Sequence, residues 1–153
     1  MAEKLQFELV SPEKLLLSQP VAMVVVPGSE GNFGALPGHS LLISTVRPGV
    51  IDVYADEQTK ISQSIFVSGG FAEVTPERCT VLAEEAMDPA TLDRAAAEAE
   101  LQVVEGNLPS LRDQVGRATG ADRDRLAAEL RGLEHQQAVA RAKLQAIAAE
   151  SAH

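Results

Sequence analysis

The stretch from Val24 to His39 reads VVVPGSEGNFGALPGH and joins an apolar run to a series of glycines and prolines. Successive valines favour a strand, whereas Pro-Gly pairs mark turns. The glycine spacing G-x-x-G-x-x-G matches neither the dinucleotide-binding fingerprint nor the P-loop. We therefore interpret these glycines as turn positions that need a positive φ or a close backbone approach, with Phe33 and Leu36 anchoring the loop.

The same strand pattern extends over the first part of the chain. Leu5, Phe7 and Leu9 alternate with polar neighbours, and residues 50–54 and 60–67 repeat the alternation. Pro-Gly, Gly-Gly and Ser-Pro pairs separate these segments. Short strands between such turns are typical of an antiparallel sandwich or barrel, which we predict for residues 1–87.

The composition changes at Asp88. The residues that follow are rich in Ala, Leu, Glu, Gln and Arg, which are good helix formers. Asp88 before Pro89 predicts a helix start, with the aspartate as N-cap and the proline in the first turn. We therefore predict a helical domain over residues 88–153.

Two series of apolar positions at alternating steps of three and four form a heptad seam in this domain. They are Ala97, Leu101, Val104, Leu108, Leu111 and Val115, then Leu126, Leu130, Leu133, Gln137, Ala140, Leu144 and Ile147. The first series stays in phase through Gly106 and Pro109, which predicts one helix with a kink. Thr119–Ala121 supplies the reversal and Asp122 the second cap. The result is an antiparallel hairpin with arms of about 30 residues, roughly 45 Å long.

The predicted seam is thin because Ala97, Gln137 and Ala140 bury little apolar surface. Such a hairpin forms but is weakly held, so its position should depend on what it docks against. Two interpretations follow from the residues alone. The hairpin is either a static packing or dimerisation element, or an arm that moves.

Charge and composition exclude several classes of protein. The net charge of −9 has the wrong sign for nucleic acid or a bare anionic membrane. The apolar run Val21–Val26 is too short to span a bilayer, and the N-terminus lacks the features of a signal peptide, so we expect a cytoplasmic chain with no membrane insertion. One cysteine and three scattered histidines make no zinc pattern, and we expect no metal.

The residues show no constellation for catalysis. His39 lies on a loop and has a suitable reference pKa, but no Ser-His-Asp arrangement accompanies it, and we interpret it as a hydrogen-bonding turn residue. Glu84 and Glu85 are neighbours on a predicted strand and would point to opposite faces. We expect no enzyme that works alone.

Several motifs, in order and spacing, resemble the epsilon subunit family of the F-type ATP synthase. They are residues 27–31 (PGSEG), 33–34 (FG), 36–39 (LPGH), 47–49 (RPG), 68–74 (SGGFAEV) and 80–83 (TVLA). The resemblance implies about ten strands in two antiparallel sheets, followed by a two-helix hairpin. It implies a non-catalytic rotor subunit that helps couple proton flow to rotation.

The resemblance also implies partners and a location. The sandwich would bind the gamma subunit and the c-subunit ring, with Glu30, Gly31, Asn32 and His39 as contact residues. The extended hairpin would reach the alpha and beta subunits and inhibit ATP hydrolysis. The chain would be peripheral to the cytoplasmic face of the bacterial inner membrane.

The sequence departs from the family pattern at three places. Asn32 stands where an acid is common, and Leu41 where a proline is usual. Some members bind ATP through Leu/Ile-Asp-x-x-Arg-Ala at the first helix. Leu92, Asp93 and Ala97 retain that pattern, but Ala96 replaces its arginine, which argues against ATP as a regulatory ligand and leaves no expected cofactor.

Two functions from other classes stay open on the sequence. The chain could be a free-standing β-sandwich adaptor that homodimerises through its hairpin. It could also be a small hydrolase that uses His39.

Overall fold

The computed structural model describes residues 3–151, which fall into two compact units that divide between Thr91 and Leu92. The strands of the first unit are β1 (Leu5–Val10), β2 (Leu15–Val21), β3 (Met23–Gly28), β4 (Gly31–Ala35), β5 (Leu42–Val46), β6 (Gly49–Tyr54), β7 (Gln63–Val67), β8 (Gly70–Val74), β9 (Arg78–Ala83) and β10 (Ala86–Met87). The helices of the second unit are α1 (Arg94–Arg117) and α2 (Gly120–Ser151).

The strands of the first unit form one continuous hydrogen-bonded network. Its order is β10-β7-β6-β3-β5-β8-β9-β1-β2, and β4 pairs with β3 beside this path. The prediction of a sandwich of about ten strands followed by two helices is confirmed. One pairing differs from the all-antiparallel expectation, because β1 and β9 run parallel. The long chain between these two strands provides the crossover that a parallel pair requires.

The core shows why this sheet must fold over on itself. Buried residues from every strand between β1 and β9 belong to a single cluster, in which Phe7, Leu9, Ile51, Val67 and Val81 are members. Strands as far apart in the order as β1 and β7 could not share one core in a flat sheet. The alternation of β1 is regular, since Leu5, Phe7 and Leu9 are buried and the residues between them are half-buried.

Gly70 is the tightest point between β8 and β9. Its φ is +146°, and a Cβ atom there would lie 1.9 Å from the carbonyl oxygen of Leu82. No side chain fits in that space without moving the backbone of β9. Gly34, by contrast, has no positive φ, and its Cβ would make an ordinary contact of 3.5 Å with the sulfur of Met23.

We predict that Gly70→Ala lowers the free energy of unfolding by about 3 kcal/mol or more, because backbone strain and a steric clash add together. Gly34→Ala in the same unit serves as the control and should change it by less than about 1 kcal/mol. Urea unfolding followed by circular dichroism measures both. Equal effects of the two substitutions would contradict the structure of this strand pair.

Cys79 lies on the inner side of β9 and is fully buried. Burial disfavours the thiolate and raises the pKa of Cys79 from 9.0 to about 12. The Cys79 thiol therefore loses its proton at a lower pH in the unfolded chain than in the folded chain. The thiol should consequently be unreactive while the unit stays folded.

We predict that a thiol reagent modifies Cys79 at pH 8 only after unfolding. Above pH 9 the contribution of the buried thiol to stability should fall as the pH rises, until the folded pKa of about 12 is reached. Cys79→Ala should remove that component of the pH dependence. Rapid labelling of the native protein would show that the thiol is accessible.

The start of α1 differs from the prediction. Asp88 accepts a hydrogen bond from the Ala90 amide at 2.9 Å, but the helix that it caps is a short 3-10 turn, Pro89–Thr91. The Thr91 hydroxyl donates back to the Asp88 carbonyl at 2.7 Å and closes this turn. Asp93 is the N-cap of α1, so the prediction of Asp88 as the cap of the long helix is wrong.

The predicted seam between the helices is confirmed. All of its positions are buried or half-buried, with Ala97, Val104, Leu108 and Ala140 fully buried, and α1 packs against α2. Helix α1 continues through Pro109 as one element. The antiparallel hairpin thus has arms of 24 and 32 residues.

The connection between the helices is shorter than predicted. Only Ala118 and Thr119 lie between α1 and α2, and Gly120, with a φ of +62°, already opens α2. Asp122 is consequently not the cap but lies in the first turn, where its carboxylate is 3.9 Å from Arg125. The positive φ of Gly120 completes the reversal before Asp122 is reached.

Candidate functional site: a hairpin tip and an outer face

Strands β3 and β4 form a hairpin whose turn consists of Ser29 and Glu30. Gly28 and Gly31 face each other across the turn. The φ of Gly31 is +137°, and a Cβ on Gly28 would lie 2.8 Å from the Gly31 carbonyl oxygen. The predicted close backbone approach is therefore confirmed at Gly28 and the predicted positive φ at Gly31. Gly34 has neither a positive φ nor a close backbone approach. We call residues 28–32 the hairpin tip.

Arg47 follows β5 and braces the hairpin tip. Its guanidinium donates one hydrogen bond to the Gly28 carbonyl and another to Asn32 Oδ1, each 2.5 Å long. Its backbone N–H donates to the Pro27 carbonyl at 2.9 Å, and the Ser29 N–H donates to the Thr45 carbonyl at 3.0 Å. One side chain thus joins the two strands on either side of the turn.

The structure brings together three of the four predicted contact residues. Glu30, Gly31 and Asn32 are exposed at the hairpin tip. His39 lies beyond the other end of β4, a strand of five residues that spans about 16 Å. It is half-buried, and its Nδ1 lies 2.6 Å from the Ser40 carbonyl oxygen, which agrees with the role of a turn residue.

The three residues of the nucleotide pattern lie at the start of the second unit. The Asp93 carboxylate accepts hydrogen bonds from the Ala95 and Ala96 amides at 2.9 and 3.3 Å. Leu92 is half-buried, and Ala97 is buried. Asp93 is thus engaged as a helix cap, and the expectation that ATP does not bind here stays a prediction.

Sequence reasoning missed an exposed apolar row on the other side of the sheet from the core. Phe71 on β8 lies opposite Leu82 on β9, and Leu82 lies beside Val10 on β1. Phe71 is 57% exposed and Leu82 45%. Ile43 on β5, which is 77% exposed, lies diagonal to Phe71 on the same face. We call the surface formed by Ile43, Phe71, Leu82, Val10 and Leu15 the outer face.

A signal for the outer face was present in the sequence. Ala72 and Val74 alternate with Phe71 and Glu73 along β8. Residues two apart on a strand share a face, so an outward Glu73 requires an outward Phe71. A contiguous patch of exposed apolar side chains, as Phe71 forms with Leu82, is a mark of a binding surface.

A polar region borders the outer face. Glu8 and Arg78 form an ion pair at 3.1 Å, and Gln6 donates to the Ser18 hydroxyl at 2.8 Å. With Glu73 these side chains line a shallow depression. An apolar patch beside a polar rim has the composition of a protein-binding surface.

These features define a class of protein, a β-sandwich with an appended helical hairpin. Residues 4–89 match the protein family described as "ATP synthase, Delta/Epsilon chain, beta-sandwich domain". An ATP synthase epsilon chain from Rhodospirillum centenum is 55% identical over 150 residues, which are 98% of this chain and 96% of the relative. The epsilon chain from Rhodospirillum rubrum is 52% identical over 130 residues, 85% of this chain and 96% of the relative.

Solved structures show the same fold at low identity. A chain of the Euglena gracilis mitochondrial ATP synthase (OSCP/F1/c-ring) matches with a TM-score of 0.64 and 20% identity, over 98% of this chain and 82% of that one. A chain of the Tetrahymena thermophila mitochondrial ATP synthase (central stalk/c-ring) matches with a TM-score of 0.56 and 17% identity, over 95% of this chain and 97% of that one.

The chain belongs to the epsilon chain family of ATP synthase. It is therefore a non-catalytic subunit of a membrane-associated enzyme complex. In residues 3–151, neither helix is long and apolar enough to cross a membrane.

Proposed function

We propose that this chain is a rotor subunit of the central stalk, which binds the gamma subunit and the c ring and so helps couple proton translocation to ATP synthesis. The exposed apolar outer face is the observation that carries the proposal. In the assembled enzyme the chain would lie on the cytoplasmic face of the bacterial inner membrane.

The outer face is assigned to the gamma subunit. Phe71 and Leu82 are large apolar side chains that the fold leaves in water, although the inner side chains of the same strands are buried. These inner side chains are Ala72, Val74, Cys79, Val81 and Ala83. Burial of such side chains by a partner yields about 25 cal/mol for each Å² removed from water. Aromatic residues at the centre of a patch frequently dominate the binding energy.

The hairpin tip is assigned to the c ring. Its exposed residues Glu30, Gly31 and Asn32 are polar or small, which suits contact with polar loops rather than with lipid. Its backbone is held by the brace from Arg47. A preformed loop loses little conformational entropy on binding.

We predict that Phe71→Asp weakens gamma binding by about 30-fold or more, because it places a charge at the centre of an apolar contact. Val103→Asp is the matched control, since Val103 is 64% exposed on α1 and lies outside the outer face. Titration of purified gamma onto each variant measures the effect, with circular dichroism to verify folding. Equal affinities of the wild type and Phe71→Asp would refute this assignment.

Two measurements on the wild-type chain test the homodimer alternative. Sedimentation of the free wild-type chain gives its oligomeric state, and co-purification of the tagged chain from its own membranes identifies its partners. A stable homodimer that retains neither gamma nor c subunits would favour the adaptor and overturn the rotor proposal.

We also propose that the hairpin inhibits ATP hydrolysis when its arms extend toward the alpha and beta subunits. The contacts that hold the arms together support this role. Within residues 3–151, three ion pairs connect α1 with α2, namely Glu105 with Arg141 at 3.2 Å, Glu100 with the half-buried Lys143 at 3.6 Å and Arg112 with Glu134 at 3.6 Å. Pairs of this kind contribute about 0 to 1 kcal/mol each.

Glycines within the helices weaken the hairpin further. A Cβ at Gly106, Gly116 or Gly132 would meet no atom within 4 Å beyond the adjacent backbone of its own helix, so none of these glycines is required by packing. Each costs its helix about 1 kcal/mol relative to alanine. A weakly held hairpin suits an element whose two states differ by a few kcal/mol.

We predict that deletion of residues 92–153 raises ATP hydrolysis by the intact complex. Arg141→Glu, which opposes Glu105 with a like charge, should favour separated arms and lower hydrolysis about two- to fivefold. The double variant Glu105→Arg with Arg141→Glu restores the pair and should return hydrolysis to the wild-type rate. Unchanged hydrolysis after the deletion would show that the hairpin has only a packing role.

A further inference from the structure

We propose that Arg47 is the cationic contact of the hairpin tip, and that it binds a carboxylate on the loop of the c ring that the tip meets. This inference rests on the proposed function, since it names the chemistry of the partner at the same site. Three observations on Arg47 and its neighbours support it.

The first observation is the chemistry of the brace. Both acceptors of the Arg47 guanidinium, the Gly28 carbonyl and Asn32 Oδ1, are neutral. Among residues 3–151, no carboxylate oxygen forms an ion pair with Arg47 within 4.0 Å. The bonds therefore position the guanidinium without neutralising its charge.

The second observation is the donor capacity of the side chain. A guanidinium carries five N–H donors in a rigid plane. The two hydrogen bonds of the brace engage two of them, one on each terminal nitrogen. Because Arg47 is exposed, its remaining donors face water or a partner. A carboxylate is the group that matches such a planar fork in both shape and charge.

The third observation is the contrast with other basic residues in the same unit. Arg78 is paired with Glu8 at 3.1 Å, and Lys4 with Asp56 at 3.7 Å. Acidic residues outnumber basic ones in this unit. Lys14 and Lys60 also form no ion pair within residues 3–151, but Arg47 differs from them because two side-chain hydrogen bonds hold its guanidinium. A fixed cation of this kind at the tip would select an acidic partner.

Asn32 is therefore a positioning residue for Arg47. Its amide oxygen holds Arg47 in place and leaves the positive charge available. An aspartate at this position would accept the same hydrogen bond but would neutralise the guanidinium. The substitution Asn32→Asp therefore keeps the hydrogen bonds of the brace but removes the unpaired positive charge of Arg47.

The test uses purified pairs of gamma with the full-length chain, titrated onto the detergent-solubilised c ring of the same enzyme. Gamma alone supplies the baseline. We expect Asn32→Asp to weaken ring binding about three- to fivefold at low salt and to flatten its salt dependence. Asn107→Asp, the same substitution at an exposed site on α1, should leave ring binding unchanged.

Two further measurements, the thermal midpoint of the variant and the ring affinity of gamma alone, distinguish the possible causes of weaker binding. The thermal midpoint of Asn32→Asp should equal or exceed that of the wild type, since the brace gains an ion pair, so weaker binding cannot be attributed to unfolding. Ring binding by Asn32→Asp that equals or exceeds wild-type binding would overturn the inference. If the wild-type chain adds no ring affinity to gamma alone, the proposed function itself fails.

Discussion

The alternation of side chains along β5, β8 and β9 is the constraint on which the binding surface depends. Ala72, Val74 and Val81 fill the core, so their neighbours along the strands must point outward. Phe71 and Leu82 consequently lie side by side in water. Glycine at position 70 permits the close approach of β8 and β9 in this register, because a side chain there would collide with the Leu82 carbonyl. The outer face is thus a direct consequence of how the core is packed.

The hairpin tip depends on a different interaction, in which one arginine serves a structural and an electrostatic purpose. Arg47 connects the end of β5 with both strands of the hairpin through the Gly28 carbonyl and Asn32. This arrangement makes the tip rigid without an internal ion pair. The sandwich therefore offers two chemically distinct surfaces, an apolar one for shape complementarity and a polar one for charge.

The sequence was most informative where a pattern repeats. Alternation identified strands such as β1, and the heptad positions identified the seam that buries Val104 and Leu108. The start of α1 could not be predicted because Asp88 and Asp93 are both good caps. The hydroxyl and amide of Thr91, which both donate to the Asp88 carbonyl, close a separate 3-10 turn before α1. The motifs suggested Glu30, Gly31, Asn32 and His39 as contacts, and the first three lie together at the hairpin tip. The brace from Arg47 joins residues 15 apart in sequence and has no local signature.

The central claim is that a partner covers the outer face in the assembled enzyme. Hydroxyl-radical footprinting of the free chain and of the intact ATP synthase tests it most directly, because oxidation reports the solvent exposure of individual side chains. Phe71 and Leu82 should be oxidised in the free chain and protected in the enzyme, while Ile61, which is 44% exposed and lies away from this face, should react equally in both. Equal oxidation of Phe71 in the free chain and in the enzyme would contradict the claim.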